Sequence, residues 1–354
     1  MNEQANSNAD PFKRYAKQIR FGGLGGVEGQ RRLSNSRVVV IGCGALGSVS
    51  ANLLARAGVG QMLIVDRDFV ELDNLQRQVL YDEADVGMPK AIVAVEKLKA
   101  VNSEIQVEGR VADVDYRNVE SFLMSPRQAD AIVDGTDNFE IRFLLNDASV
   151  KLAIPWVYGG CLGAEGQAMT VLPGETGCLG CLMPGGPPPP GTTQTCDTGG
   201  ILSTIINVVA SFQVNETLKI LTDHKENVNR KLQIFDLWNN RMHQMDLAGI
   251  RANEQCCVCR ERKFEWLGGK RGSQSVALCG RNAVQVSFPD RQELSLEQLA
   301  VQLQHLGDLT LNPYLLRFKI DEYVITAFKD GRAIIGGTDD IATAKKLYAQ
   351  YLGA

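Results

Sequence analysis

Four of the nine cysteines fall in two C-x-x-C pairs, Cys178-Leu-Gly-Cys181 and Cys256-Cys-Val-Cys259. Each pair can aim two thiolates at one metal ion, and four sulfurs with no open position make a structural, tetrahedral zinc site. The distance between the pairs means that such an ion would tie a crossing segment to the end of a domain. Redox disulfides are the competing reading, and Cys257 could replace Cys256 only in an unusual Cys-x-Cys geometry. A second constellation is Gly42-x-Gly44-x-x-Gly47. Glycines at this spacing let the backbone approach a phosphate at a helix N-terminus, where free N–H groups and the helix dipole attract anions, although they also simply permit tight packing. Asp66 follows where an acid would hydrogen-bond ribose hydroxyls. Asn74, Arg77 and Lys90 add donors and two cations, which suit a triphosphate attacked at its α-phosphorus. Taken singly, Arg77 and Lys90 are equally well solvated surface charges.

These residues need a scaffold, and the hydrophobic pattern supplies one. Val38 to Ile41 is a short β-branched run of the kind buried on both faces. It runs into the glycine turn, after which Leu46, Val49, Leu53, Leu54 and Ala57 recur at helical spacing until Gly58. A strand over Met62 to Val65 ends at Asp66, so the order is strand, glycine turn, helix, strand, acid. A helix from Pro89 to about Lys99, a strand near 105–111, a strand at 131–134, a helix at 139–152 and a strand at 156–158 continue the alternation. The fold class is therefore α/β, doubly wound and Rossmann-like. Residues 178–200, rich in Gly and Pro, read as an irregular crossing loop. Residues 201–221 read as a buried helix and 232–245 as a hairpin returning to the sheet. From about Gly268 a second, small α+β domain is expected. It has a strand at 283–288, a helix near 296–306, strands at 315–320 and 323–328, and a helix at 340–352. The expected division is a polar tail (1–12), a nucleotide domain (13–262) and a C-terminal domain (268–354).

Composition narrows the classes. The chain has 354 residues with 37 Lys+Arg against 41 Asp+Glu, so it lacks the basic excess that a phosphate backbone demands. No run approaches the roughly 20 apolar residues of a membrane span. The polar start MNEQANSNADPFKRY has no apolar export segment, which makes the cytoplasm the expected compartment and the cysteines reduced. A nicotinamide oxidoreductase would need a hydride-transfer acid or base, and the three histidines, His224, His243 and His305, lie near no expected strand end.

The stretches RYAKQIRFGGLGGVEGQ, GCGALG, DRDFVELDNLQRQ, VGMPK, DGTDN, CLGC, TCDTGG and CCVC together resemble the MoeB/ThiF adenylyltransferases. These are relatives of ubiquitin-activating enzymes that adenylate the C-terminal glycine of a small, ubiquitin-like sulfur-carrier protein. The resemblance covers about residues 11–260. It implies that Asp66 holds the ribose and that Asn74, Arg77 and Lys90 lie along the phosphates. It further implies that Gly42, Gly44, Ala45, Gly47, Asp68, Gln76 and Asn138 border ATP, and that Asp137 stands beside Mg²⁺ and the α-phosphate. Ala45 departs from the glycine of many relatives, a change that backbone-only contact tolerates. Arg14 is implied as a finger reaching the partner's site in a homodimer.

Cys196 sits in the crossing loop just ahead of a helix, a setting that can lower a thiol pKa. The resemblance places it where some relatives carry a cysteine that attacks the acyl-adenylate, while others do without it. Cys43, Cys161 and Cys279 are expected to pack as small apolar residues. The C-terminal domain is too short for a rhodanese and is expected to be a ubiquitin-like or ferredoxin-like module or a stabilising appendage. The function expected is ATP-dependent adenylation of a Gly-Gly carrier tail under the crossing loop, with release of pyrophosphate. Sulfur transfer would follow for molybdopterin, thiamine or tRNA thiolation, with a sulfur-donor protein as a further partner. An oxidoreductase and an inactive ATP-binding scaffold are the rivals.

Overall fold

The computed structural model describes residues 12–188, 196–251, 255–271, 275–278, 282–286 and 293–353. In chain order these form α1 (Ala16–Ile19), α2 (Gly26–Asn35), β1 (Arg37–Ile41), α3 (Ala45–Ala57), β2 (Gln61–Asp66), α4 (Lys90–Val101), β3 (Gln106–Val111), α5 (Val119–Met124), β4 (Ala131–Asp134) and α6 (Phe139–Leu152). Then come β5 (Trp156–Leu162), β6 (Glu165–Val171), α7 (Leu179–Leu182), α8 (Cys196–Gly199), α9 (Ser203–Leu221), β7 (Lys231–Asp236), β8 (Arg241–Asp246) and α10 (Leu247–Arg251). The remainder comprises β9 (Ser275–Leu278), β10 (Ala283–Val286), α11 (Leu296–Leu303), β11 (Asp308–Leu311), β12 (Leu315–Ile320), β13 (Tyr323–Phe328), β14 (Ala333–Gly336) and α12 (Ile341–Leu352).

Among the described residues, one compact unit holds those up to Pro187 and those from Ile201 to Lys270; the other holds Pro188–Gly200 and the chain from Arg271. The first unit is built on an eight-stranded sheet in the order β3-β2-β1-β4-β5-β6-β7-β8. Its β3 to β5 half is parallel, with Val38 facing Met62 on one side and Ala131 on the other. Every residue of β1 is buried, as a central strand covered on both faces requires. From β5 to β8 the pairing is antiparallel, so the sheet is mixed rather than parallel throughout. The chain winds outward from β1 to β2 and β3, then returns to place β4 on the other side of β1. That reversal opens a crevice at the C-terminal ends of β1 and β4, where α/β sheets bind ligands.

One expectation needs correction, and one helix carries no sequence signal of its own. The Gly-rich stretch 21–29 runs into helix α2: Gly25, at φ +84°, is the cap, and a Cβ on Gly29 would stand 1.7 Å from the Leu24 carbonyl oxygen. Glycine serves here at a helix start, where its cost in backbone entropy is offset by the close approach. The crossing segment is also less irregular than its composition suggests, since α7 and α8 are each a four-residue helical turn. Residues 189–195 and the N-terminal tail lie outside the described residues.

The second unit has its own six-stranded antiparallel sheet, order β11-β12-β13-β14-β10-β9. Leu316, Phe318, Ile325, Ala327, Ala333 and Ile335 share a core with Leu296, Leu299 and Leu303 of α11 and Leu347 and Tyr348 of α12. Four of its strands form a meander in sequence order, a simpler path than the module expected there.

Candidate active site and metal centre

The glycine turn bridges β1 and α3 at the crevice. Gly42 has φ +84°, and its N–H bonds the Val65 carbonyl at 2.8 Å. A Cβ on Gly47 would come within 1.9 Å of the Gly42 carbonyl oxygen, and one on Gly135, just past β4, within 2.7 Å of the Gly47 Cα. These glycines are thus required by backbone packing at the switch point. Gly44 differs: a Cβ there would meet nothing closer than Gln78 Nε2 at 3.8 Å. As the N-cap of α3 it offers no side-chain cap to the first N–H groups of the helix. Open space beside uncapped amides is a cradle for phosphate oxygens.

Asp66 ends β2, and its two oxygens accept the N–H of Cys43 at 2.5 Å and of Asp68 at 2.6 Å. It therefore braces the glycine turn as well as facing the crevice. Burial pushes its carboxyl above the usual range, against the pull of Lys90. The Lys90 side chain is 4% exposed, with Nζ 3.5 Å from Asp68 Oδ2. The Tyr81 hydroxyl donates to the Cys43 carbonyl at 2.7 Å and ties the base of α4 to the turn. The Cys43 thiol is fully buried and pushed up to about 12, first by burial, so it is an inert packing group as expected. Asn74 is fully buried; it donates to Asp73 Oδ1, while its own Oδ1 lacks a partner among the described residues. Gln78, 3% exposed, has an unpartnered Oε1 as well. Arg77 is half-buried and donates to the Asp73 carbonyl at 2.8 Å. Gln76 is exposed and takes no hydrogen bond among the described residues.

Asp137 is exposed in the loop after β4, and its carboxylate makes no hydrogen bond or ion pair among the described residues. The neighbouring polar residues contrast with it. Asn138 Oδ1 caps α6, accepting from Glu140 N at 2.7 Å and Ile141 N at 3.4 Å, which commits one of its two polar ends. Asp134 is buried beneath the loop and pushed up to about 6, chiefly by burial. Sequence reasoning missed three groups here. Arg67 pairs with Asp113 at 3.0 Å and Asp68 at 3.7 Å. Burial works against its charge, but Asp113, Asp68 and Asp137 outweigh that and hold it protonated. The other two are Gln78 and Arg142; the only available signal was their place inside quoted motifs or one helical turn beyond them.

The four cysteine sulfurs Cys178, Cys181, Cys256 and Cys259 lie within 4.8 Å of one another. Adjacent Sγ atoms are separated by 3.8 Å (Cys178–Cys181), 3.6 Å (Cys178–Cys256) and 3.4 Å (Cys181–Cys259). A tetrahedral ion with bonds of about 2.3 Å needs sulfurs about 3.8 Å apart, so the set fits metal binding and is compatible with zinc. All four are free thiols, and Cys257 is exposed outside the cluster. The disulfide reading and the Cys257 alternative are both displaced.

A ThiF family model matches residues 15–258. The chain belongs to the ThiF family. It is 43% identical over 343 residues, 96% of this chain and 99% of the relative, to a protein of Bacillus subtilis named sulfur carrier protein ThiS adenylyltransferase. It is also 39% identical over 254 residues, 72% of this chain and 91% of the relative, to the SAMP-activating enzyme E1 of Haloferax volcanii. Among solved structures it is similar in fold to E. coli MccB, with TM-score 0.60 and 24% identity over 71% of this chain and 75% of that one.

The ThiF match begins one residue after Arg14 and ends one residue before Cys259. Arg14 Nη1 donates to the Val101 carbonyl at 3.2 Å, and Nε pairs with Glu104 at 3.5 Å, at the far end of α4 from Lys90. Twelve helical residues separate the two by about 16 Å, so Arg14 is not brought to the site of its own chain. Cys196 begins α8, and its side chain lies outside the described residues, as does Cys279. No helix among the described residues is long and apolar enough to cross a membrane.

Proposed function

We propose that this ThiF-family chain is an ATP-dependent adenylyltransferase that activates the C-terminal Gly-Gly carboxylate of a ubiquitin-like sulfur carrier of the ThiS type. The observation that carries this reading is the crevice itself: an open Gly44 cradle beside uncapped helix amides, with Asp66 and Lys90 buried beside the turn and an exposed Asp137 carboxylate in the loop after β4. The likeness to the ThiS adenylyltransferase spans nearly all of both chains and supports that carrier class.

In this reading the α3 amides and Lys90 hold the phosphates, Asp66 accepts a ribose hydroxyl on its remaining lone pairs, and Asn74 and Arg77 orient the triphosphate. An oxygen of the carrier carboxylate attacks the α-phosphorus. The bond to the β-phosphate breaks, and pyrophosphate leaves with the electron pair, giving an acyl-adenylate. Fixed cations lower the barrier because negative charge builds on the bridging oxygen. Mg²⁺, when bound, would add charge neutralisation at the α-phosphate, and the exposed Asp137 carboxylate suits it. Zinc in the four-thiolate cluster would be structural. The position of Arg14, remote from its own site, supports a homodimer in which it serves the partner's site. A thiolate cluster of this kind suits a reducing compartment such as the cytoplasm. A covalent role for Cys196 and a sulfur-donor partner complete the proposal.

The test is exchange of labelled pyrophosphate into ATP with a ThiS-type carrier ending in Gly-Gly. Exchange that needs the carrier and is lost in Asp137→Ala is expected. ATP binding without exchange for any Gly-Gly carrier would replace the enzyme by a nucleotide-binding scaffold.

A further inference from the structure

The loop that carries Asp137 is gripped from beneath by two buried charges to which the reaction above gives no part. Asp134, fully buried, accepts the Thr136 N–H at 2.9 Å and the Thr136 hydroxyl at 2.7 Å on its Oδ1. Arg142, one turn into α6 and 7% exposed, donates Nη2 to the Thr136 carbonyl at 2.7 Å and to the Gly159 carbonyl of β5 at 3.1 Å. All three polar groups of Thr136 are therefore held by a single ion pair. The guanidinium carbon of Arg142 lies 5.3 Å from the Phe139 ring centroid and 5.1 Å from that of Tyr158, which fixes its plane.

The setting explains why side chains do this work. The β4–β5 ladder stops at Val133 and Val157, and the strands part beyond it. Gln213 of α9 bridges the gap by donating to the Asp134 and Val157 carbonyls at 2.7 and 3.1 Å, and Arg142 bridges it one step further on. As a device for stability the ion pair is poor. Arg142 Nε stands 3.8 Å from Asp134 Oδ2, and neither atom has a hydrogen-bond partner among the described residues. Two desolvated charges paired so loosely return little of their desolvation cost, and the hydrogen bonds of both run instead to the Thr136 peptide and hydroxyl.

We propose that Asp134 and Arg142 are positioning residues that lock the Thr136 peptide, and so aim the Asp137 carboxylate at the metal-bound phosphate. This rests on the function proposed above. Neither residue touches the nucleotide; each acts through the loop. Losing the lock should weaken the metal site more than the Gly44 cradle, which belongs to a different strand end and is joined to this loop through the backbone of Gly135.

The experiment uses the full chain with Mn²⁺ as the probe, read by electron paramagnetic resonance in the presence of a non-hydrolysable ATP analogue. Binding of the analogue alone is measured in chelator. For Arg142→Ala, Mn²⁺ affinity should fall about tenfold or more, the scale on which ligand-orienting partners act, while analogue affinity changes less than about threefold. Arg142→Lys should recover part of the loss. Thr136→Val removes only the hydroxyl from the grip and should shift Mn²⁺ affinity the same way by less; it decides the matter if Arg142→Ala does not fold. Unchanged Mn²⁺ affinity, or equal loss of both affinities, overturns the proposal. Failure of the unsubstituted protein to bind Mn²⁺ with the nucleotide overturns the functional reading and this inference with it, and only that result appears without any substitution.

Discussion

A Cβ on Gly47 would stand 1.9 Å from the carbonyl oxygen of Gly42, so the third glycine of the turn answers to the first and not to a ligand. Gly44, between them, meets nothing closer than Gln78 Nε2 at 3.8 Å, so packing among the described residues does not require glycine there.

The two positions therefore separate folding from binding. Gly47→Ala should cost about 3 kcal/mol or more, because backbone on both sides of the clash must move. Gly44→Ala should leave Tm within about 2 °C of the parent and weaken ATP binding about tenfold, by filling the cradle. Thermal melts with equilibrium nucleotide binding distinguish them; ATP binding undiminished in Gly44→Ala would remove the cradle from the site.

The cysteine cluster predicts one tightly held zinc per chain. Cys178→Ser and Cys256→Ser should lose the metal and lower Tm by several degrees, as when a structural ion that binds only the folded state is removed. Cys257→Ser, at an exposed thiol outside the cluster, should keep both. Elemental analysis beside melting curves reads the contrast, and metal loss in Cys257→Ser would redraw the ligand set.

Asp134 gives stability a pH dependence of definite sign. Its folded-state pKa, raised from 3.8 to about 6, means that the folded protein binds this proton more tightly than the unfolded chain. The contribution of the neutral form is complete below about pH 4 and is lost as pH rises to about 6, amounting to roughly 3 kcal/mol at most. Arg142, Asp137 and Tyr158 are the charged or titratable groups that face it. Asp134→Asn should thus gain stability relative to the parent between pH 4 and 7. Parallel denaturation curves across that window would show no such gain if the carboxyl titrates normally.

If Arg14 serves the partner's site, Arg14→Ala and Asp137→Ala should each be inactive, yet a re-equilibrated mixture should recover about a quarter of parental pyrophosphate exchange. Half of the dimers are then mixed, and one of the two sites in each is intact. A mixture as inactive as its components would place Arg14 outside the chemistry.

Much of the α/β half was readable because its signals are local. β1 is a β-branched run, α3 begins at a glycine turn and ends at Gly58 with φ +83°, and Asn138 announces the start of α6. Helix α2 carries no such local signal: glycine at positions 26 and 29 has low helix propensity, and the need for Gly29 comes from its close approach to the Leu24 carbonyl. Strand β6 likewise has no marker of its own; its place comes from pairing with β5 and β7.

The candidate site divides along the same line. The amino-acid order by itself determined the glycine turn, the acid ending β2, the cations that follow and the two cysteine knuckles, since each is a pattern of residue types at short spacing. Only the tertiary structure decided that Gly42, Gly47 and Gly135 interlock, that Cys178, Cys181, Cys256 and Cys259 share one centre without Cys257, that Arg14 lies at the far end of α4 from Lys90, and that Asp134 and Arg142 grip Thr136. These relations join residues on different strands and helices. Burial and distance arise only when the sheet brings those elements together, so no local pattern encodes them.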